Sequence, residues 1–260
     1  MKYRFIDLFA GAGGLSEGFI RAGYEPIAHI EMDHYACDSL KTRAAFHYLK
    51  ENGKLEIYEE YLKTKKEKTD GSWLWNQVPK SVIDSVIQEA IGKETLPSLF
   101  ERVDKLCNGK PVDMIIGGPP CQAYSVAGRA RLGKKIEEDP RNDLYKFYVE
   151  FLKRYKPKMF VFENVLGIFT AKGGEPFRDL IRLVRELDYN IDFREQIASQ
   201  HGVLQKRHRV IIVGWQNKRD TQEDTSYHYP YLLEEQMPYK MMRDLFCDLP
   251  IVKAGEGTLC

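Results

Sequence analysis

A cysteine that directly follows two prolines, Cys121 in Gly117-Gly118-Pro119-Pro120-Cys121-Gln122, stands where a nucleophile would stand. The apolar run Val112 to Ile116 reads as a buried strand, and two prolines forbid any continuation of its ladder. The thiol is therefore expected on stiff backbone at a strand end, the edge where open α/β sheets bind ligands. A lone cysteine is most often a small buried hydrophobe, so its neighbours matter. Glu163 follows the strand-like run Met159 to Phe162, and Arg207 and Arg209 lie in Gln205-Lys206-Arg207-His208-Arg209. Singly, Glu163 reads as a helix or loop cap and the arginines as surface charges. Arg209, however, immediately precedes the buried stretch Val210 to Gly214, where a charge needs a partner or a ligand. If they converge on one crevice, the four side chains offer a nucleophile, a carboxylate and two cations.

A second constellation lies at the N-terminus. Arg4 to Phe9 is a strand, followed by Ala10-Gly11-Ala12-Gly13-Gly14 and a helix through Leu15, Phe19 and Ala22; Pro26 to Glu31 is a further strand ending in a carboxylate. Strand, glycine-rich turn, helix N-terminus and an acidic residue at the next strand's tip form a nucleoside-binding arrangement, the carboxylate accepting both ribose hydroxyls. Gly11 and Gly13 match the dinucleotide pattern, but its sixth position is Ser16. That argues for a nucleoside without a pyrophosphate, such as S-adenosylmethionine. Glycines serving only a tight turn are the plain alternative.

The elements around these residues alternate between strand and helix lengths, which predicts an α/β fold with a mostly parallel central sheet and helices on both faces. His34 to Leu49 and Pro176 to Leu187 read as helices. Leu144, Phe147, Tyr148, Phe151, Leu152 and Tyr155 mark an amphipathic helix ending at Lys156, before Pro157. Residues 51–110 form a polar, Lys/Glu-rich insertion that sequence places only coarsely. The expected division is a catalytic and cofactor-binding domain over 1–217 and a further segment over 218–260.

With 43% hydrophobic and 30% charged residues and no apolar run of membrane-spanning length, the chain reads as a soluble globular protein, and nothing in its N-terminus reads as a secretory signal. Its 39 Lys and Arg balance 38 Asp and Glu, so any nucleic-acid contact must be local. Arg129, Arg131, Lys134 and Lys135 make one basic cluster and Lys206 to Arg209 another, while Lys63 to Lys68 reads as an exposed loop or helix end. The five cysteines form no CxxC pair, so no metal site is expected and a reducing cytosol fits best.

Together these residues closely resemble the DNA (cytosine-5) methyltransferases. DLFAGAGG at Asp7 to Gly14 looks like their first motif, Glu31 their second, GGPPCQAYS their nucleophile motif, FENV their ENV motif and QKRHR their QxRxR motif, in family order over residues 3–214. The resemblance implies a Rossmann-like methyltransferase fold and methyl transfer from S-adenosyl-L-methionine to C5 of cytosine in double-stranded DNA, in a bacterial restriction-modification system. It implies catalysis by Cys121, Glu163 and Arg209. Cofactor contacts are implied at Phe9, Ala10, Gly11, Gly13, Gly14, Leu15, Glu31, Met32, Pro120 and Leu144, and DNA contacts at Gln122, Ser125, Arg129, Arg131 and Arg207. The acidic residue that contacts the adenine amine is not clear from sequence; Glu89, with Ile91, is the candidate.

Members continue after an RDxxxDLP-like segment, here Arg243 to Pro250, into a target recognition domain and return to complete the cofactor site. Two accounts are open: a split enzyme with recognition and closing elements on a second chain, or a truncation. Three other readings compete with an active DNA enzyme. They are a remnant that binds cofactor or DNA without turnover, an RNA cytosine methyltransferase of related design, and, more distantly, a nicotinamide dehydrogenase.

Overall fold

The computed structural model describes residues 2–64, 71–120 and 143–217, together with Cys247. Its centre is a seven-stranded sheet. In chain order the strands are β1 (Arg4–Leu8), β2 (Glu25–Glu31), β3 (Val86–Gln88), β4 (Met114–Gly117), β5 (Met159–Asn164), β6 (Tyr189–Ile197) and β7 (His208–Gln216). Across the sheet they run β3-β2-β1-β4-β5-β7-β6. Pairings from β3 to β5 are parallel, whereas β7 is antiparallel to both β5 and β6. The strand order reverses between β1 and β4, and at such a switch point the two crossovers diverge and leave a crevice at the strands' carboxyl ends. There the backbones approach so closely that a Cβ on Gly117 would lie 2.4 Å from the Leu8 carbonyl oxygen.

Side chains alternate between two covered faces, which is why β4 reads as an apolar run and β1 is buried from Phe5 to Leu8, Asp7 included. On one side Phe5, Met114, Ile116, Val161 and Val213 form a cluster that packs Leu15, Phe19 and Ile20 of α1 (Gly14–Arg21). Ala10 and Val86 meet Cys37 and Leu40 of α2 (His34–Glu51). On the other side Ile6, Leu8, Ile30, Ile115, Phe160 and Phe162 pack against three helices. The segment after β4 contributes Tyr148, Phe151 and Leu152 to that layer, and the segment after β5 contributes Leu180 and Val184.

Residues 51–110 divide. Helices α3 (Leu55–Thr64), α4 (Ser72–Trp75) and α5 (Lys80–Asp84) form a satellite on α2, where Tyr61, Leu74 and Val78 meet Ala45 and Leu49. From Val86 onward the chain belongs to the sheet: β3 is its edge strand, and α6 (Leu96–Cys107) buries Leu99, Val103 and Cys107 in the main core. The two later helices are α7 (Leu144–Tyr155) and α8 (Glu175–Glu186), close to the expected bounds.

An ionic cluster fixes α1 to α2. Glu17 accepts from Arg21 Nε at 2.7 Å, from Arg43 Nη1 at 2.8 Å and sits 2.9 Å from His47 Nε2. Burial opposes its ionisation, but the hydrogen bonds from His47 and Arg21 and the charges of His47 and Arg43 outweigh that and hold its carboxyl at about 2, against an ordinary 4.5. A depressed carboxyl stabilises the fold above its unfolded value and loses that contribution as pH falls through the folded one. Stability from this cluster is therefore complete above about pH 4.5 and fades toward pH 2. Glu17→Gln should cost roughly 1–2 kcal/mol at neutral pH, the range for partly screened charged hydrogen bonds, and flatten acid unfolding in that window. Thermal melts of both proteins across pH 2 to 7 check this; parallel curves would remove the role of Glu17.

Candidate active site

The carboxyl edge of the sheet gathers the chemistry-bearing residues. The turn after β1 is held open by positive backbone φ at Phe9 (55°), Gly11 (54°) and Gly13 (84°). Gly13 needs to be glycine twice over, since a Cβ there would also meet Leu40 Cδ2 at 2.9 Å. At Gly11 and Gly14 a Cβ would meet nothing within 4 Å, so both backbones face open space. No side chain caps the α1 N-terminus, which leaves its amides available to a ligand carboxylate.

Glu31, at the tip of β2, organises this loop. Its Oε2 accepts from the Gly11 amide at 2.8 Å, and its Oε1 from the amides of Met32 and Asp33 at 2.8 and 2.9 Å. The α2 N-cap follows, with the Asp33 side chain accepting from the Ala36 amide at 2.8 Å. A carboxylate has about four acceptor sites, so Glu31 retains capacity for a ribose hydroxyl. Met32 is exposed beside it. Glu89, directly after β3, donates its amide to the Glu31 carbonyl oxygen at 2.9 Å and so lies at the same edge. Open glycines, uncapped amides and a strand-tip carboxylate fit an adenosyl amino acid.

The second half of the crevice lies beyond β4. Pro120, just past β4, and Leu144, at the start of α7, are half-buried. Glu163 and Asn164 close β5, and Arg209 stands near the start of β7. Because β7 runs antiparallel to β5, its beginning lies at the same edge as the end of β5. The Arg209 Nε therefore donates to Glu163 Oε1 at 2.6 Å, and its Nη1 to the His208 carbonyl oxygen at 2.7 Å. Of the residues expected to converge, the structure brings together Glu163 and Arg209, and no contact joins the exposed Arg207 to them. Their side chains keep 28% (Glu163) and 22% (Arg209) of their surface, enough for a ligand to reach both.

Sequence reasoning assigned no role to Asn164, which is 3% exposed. Its Nδ2 lies 3.4 Å from the Pro119 carbonyl oxygen while its Oδ1 accepts from the Val165 amide at 2.8 Å, so it braces the proline turn against β5. The available signal was its place in Phe162-Glu163-Asn164-Val165, directly after Glu163 at a strand end. Arg207 is exposed, and its carbonyl oxygen accepts from the Ala198 amide at 2.9 Å. Cys121, Gln122, Ser125, Arg129 and Arg131 lie outside the described residues, as does 218–260 apart from Cys247. Among the described residues no group of three or more His, Cys, Asp and Glu side chains is placed to hold a metal ion, and no helix is long and apolar enough to cross a membrane.

The profile of a family described as C-5 cytosine-specific DNA methylase matches residues 3–71 and 96–250. The chain belongs to this family. Among curated relatives of these methylases, it is 33% identical to the Type II methyltransferase M.Bpa9945I of Bacillus paralicheniformis over 97% of its own length and 62% of the relative's. It is 29% identical to the Type II methyltransferase M1.HphI of Haemophilus parahaemolyticus, over 100% of its own length and 56% of the relative's. The chain thus spans little more than half the length of such relatives. Among solved structures it is similar to a prophage-encoded DNA modification methyltransferase of E. coli, with a TM-score of 0.53 and 27% identity over 83% of this chain and 47% of that one. The Entamoeba histolytica methyltransferase EhMeth shares the fold, with a TM-score of 0.54 at 17% identity over 92% of this chain and 58% of that one. The gap in the matched range, 72–95, takes in the satellite helices α4 and α5 and the edge strand β3.

Proposed function

We propose that this chain is the catalytic and cofactor-binding part of an enzyme that methylates C5 of cytosine in double-stranded DNA, in the restriction-modification setting of its relatives and in the bacterial cytosol. The observation that carries the reading is the Glu163–Arg209 pair held at 2.6 Å, next to the Gly-Gly-Pro-Pro backbone that leads into Cys121. The gathering of both motifs at the edge that carries the glycine-rich turn supports it.

S-adenosyl-L-methionine, when bound, supplies an electrophilic methyl group on sulfur. Glu31 would take the ribose, Met32 the adenine face, Phe9 to Leu15 the amino-acid end with the α1 amides, and Pro120 and Leu144 the methyl side; Glu89 is placed for the adenine amine. Cytosine C5 is a poor nucleophile until a nucleophile has added at C6. The Cys121 thiolate forms the S–C6 bond, and the displaced electron pair moves to C5 as Glu163 holds a proton at N3. Arg209 lies against the polarised O2. The activated C5 would then take the methyl group that the bound cofactor supplies, with Pro120 and Leu144 on the methyl side. Loss of the C5 proton to a base and cleavage of the S–C6 bond restore the aromatic ring and the thiolate. These atoms are shielded inside a duplex, so the base is flipped out at a cost of a few kcal/mol. Gln122, Ser125, Arg129, Arg131 and Arg207 would hold the surrounding DNA, and target choice would rest with a recognition domain on the same or a second chain.

The test uses S-adenosylmethionine and pooled duplexes containing 5-fluorocytosine, from which no C5 proton can leave, so the adduct persists. A covalent protein–DNA species carrying one added methyl group, mapped by mass to Cys121, is expected. Turnover of RNA but not of duplex DNA would sink the assignment of substrate.

A further inference from the structure

The two glycines before the prolines are glycines for different reasons. Gly117 is hemmed in by the backbone of β1, as described above. Gly118 has no positive φ, so its conformation is open to any residue. What a Cβ there would meet is Glu163: Oε2 at 2.6 Å, the backbone carbonyl oxygen at 3.1 Å and Cβ at 3.6 Å. The nearest of these is the end of a side chain, which can swing away, while the backbone carbonyl oxygen at 3.1 Å must give by only a few tenths of an ångström. Swinging away is the consequence that matters. Restoring an ordinary contact of 3.4 Å from 2.6 Å moves the carboxylate by about 0.8 Å. Its other oxygen is tied to Arg209 Nε at 2.6 Å, so the shift either breaks that hydrogen bond or drags the guanidinium along.

We infer that Gly118 is a positioning residue for methyl transfer: its missing side chain sets where the Glu163 carboxylate sits relative to Arg209 and to the backbone running into Cys121. The inference rests on the proposed role of Glu163 at N3. Two groups that address neighbouring atoms of one ring tolerate errors of only about 0.5 Å, less than the displacement a methyl group would impose.

The experiment compares the wild-type chain with G118A, E163Q, E163D and the G118A/E163D double variant. Four quantities are read: thermal midpoint, S-adenosylmethionine affinity by calorimetry, the Arg209 Nε–H resonance, and single-turnover methyl transfer to duplex DNA. G118A is expected to keep its midpoint and bind cofactor within about twofold of wild type, while transfer slows about 100-fold, the usual cost of an ångström-scale misplacement. Its Arg209 Nε–H signal should shift and exchange faster with water, a readout that does not depend on turnover. The double variant should be no slower than E163D, because both changes act through one carboxylate. An unmoved Arg209 signal, wild-type transfer in G118A, or losses that multiply in the double variant would each overturn the inference. So would a loss of transfer accompanied by equal losses of midpoint and cofactor affinity, which marks a merely structural glycine. Wild-type transfer by E163Q would overturn the role of Glu163 itself, and this outcome is distinct from a failure of G118A alone.

Discussion

Cys121→Ser is expected to yield no covalent adduct with 5-fluorocytosine duplexes and to slow methyl transfer at least about 10⁴-fold, the scale of losing a covalent nucleophile. Cofactor affinity should stay within about twofold, because the glycine-rich turn and Glu31 lie on other segments. The reason for the loss is the protonation state of the attacking atom. A thiol is partly ionised near neutral pH and its anion is soft, whereas a serine hydroxyl stays protonated and cannot add to C6 unaided. Neither of the two buried cysteines can take over. Cys37 is fully buried, and its burial together with the Glu31 charge pushes its thiol up to about 11. Burial likewise raises Cys107, the last residue of α6, which packs in the core. Intact-mass measurement of the protein–DNA mixture reads the result. An adduct that survives Cys121→Ser would place the nucleophile elsewhere and dismantle the proposed mechanism.

The second large effect is expected at Glu31. Glu31→Ala leaves three backbone amides, those of Gly11, Met32 and Asp33, without the acceptor they share, and removes the group proposed for the ribose. Hydrogen bonds to a charged group are worth about 1.5–3 kcal/mol each, so even one lost to the ligand, added to a loosened loop, weakens binding by about 100-fold. Glu31→Gln should fall between, since its amide nitrogen would face donors instead of accepting from them. Calorimetric titration with S-adenosylmethionine separates the three proteins, and circular dichroism checks that each is folded. Affinity within about threefold of wild type in Glu31→Ala would take Glu31 out of the cofactor site.

Much of this site was legible before any coordinates, because strand ends announce themselves. A run such as Arg4 to Phe9 cut by glycines, or Val112 to Ile116 cut by two prolines, states both the element and the place where it stops. Whatever follows directly, a carboxylate, a thiol or a glycine turn, must then lie at one edge of a parallel sheet. Legibility failed where local signals were weak, cut short or masked by their surroundings. β3 has only three residues, too few for a period to show. β6 carries a readable signal, Tyr189, Ile191 and Phe193 alternating with Asn190, Asp192 and Arg194, which the polar run Arg194-Glu195-Gln196 cuts short, and sequence reasoning passed over it. In α6 the apolar positions Leu96, Leu99, Phe100, Val103, Leu106 and Cys107 make a complete helical stripe, but the Lys/Glu-rich residues before it led the segment to be read as part of an insertion although it belongs to the core.

By itself, then, the sequence determined the α/β class, the order of its central elements and the identity of the residues at their ends, since each depends on side chains within a few positions of one another. The pairing of Glu163 with Arg209, residues 46 positions apart, was decided by tertiary structure. It depends on β7 entering the sheet antiparallel to β5, a choice set by hydrogen bonding between distant strands and by the path of the chain through α8 and β6. Had β7 entered parallel, its first residues would lie at the opposite edge, and the guanidinium would be a full strand length from the carboxylate it now meets.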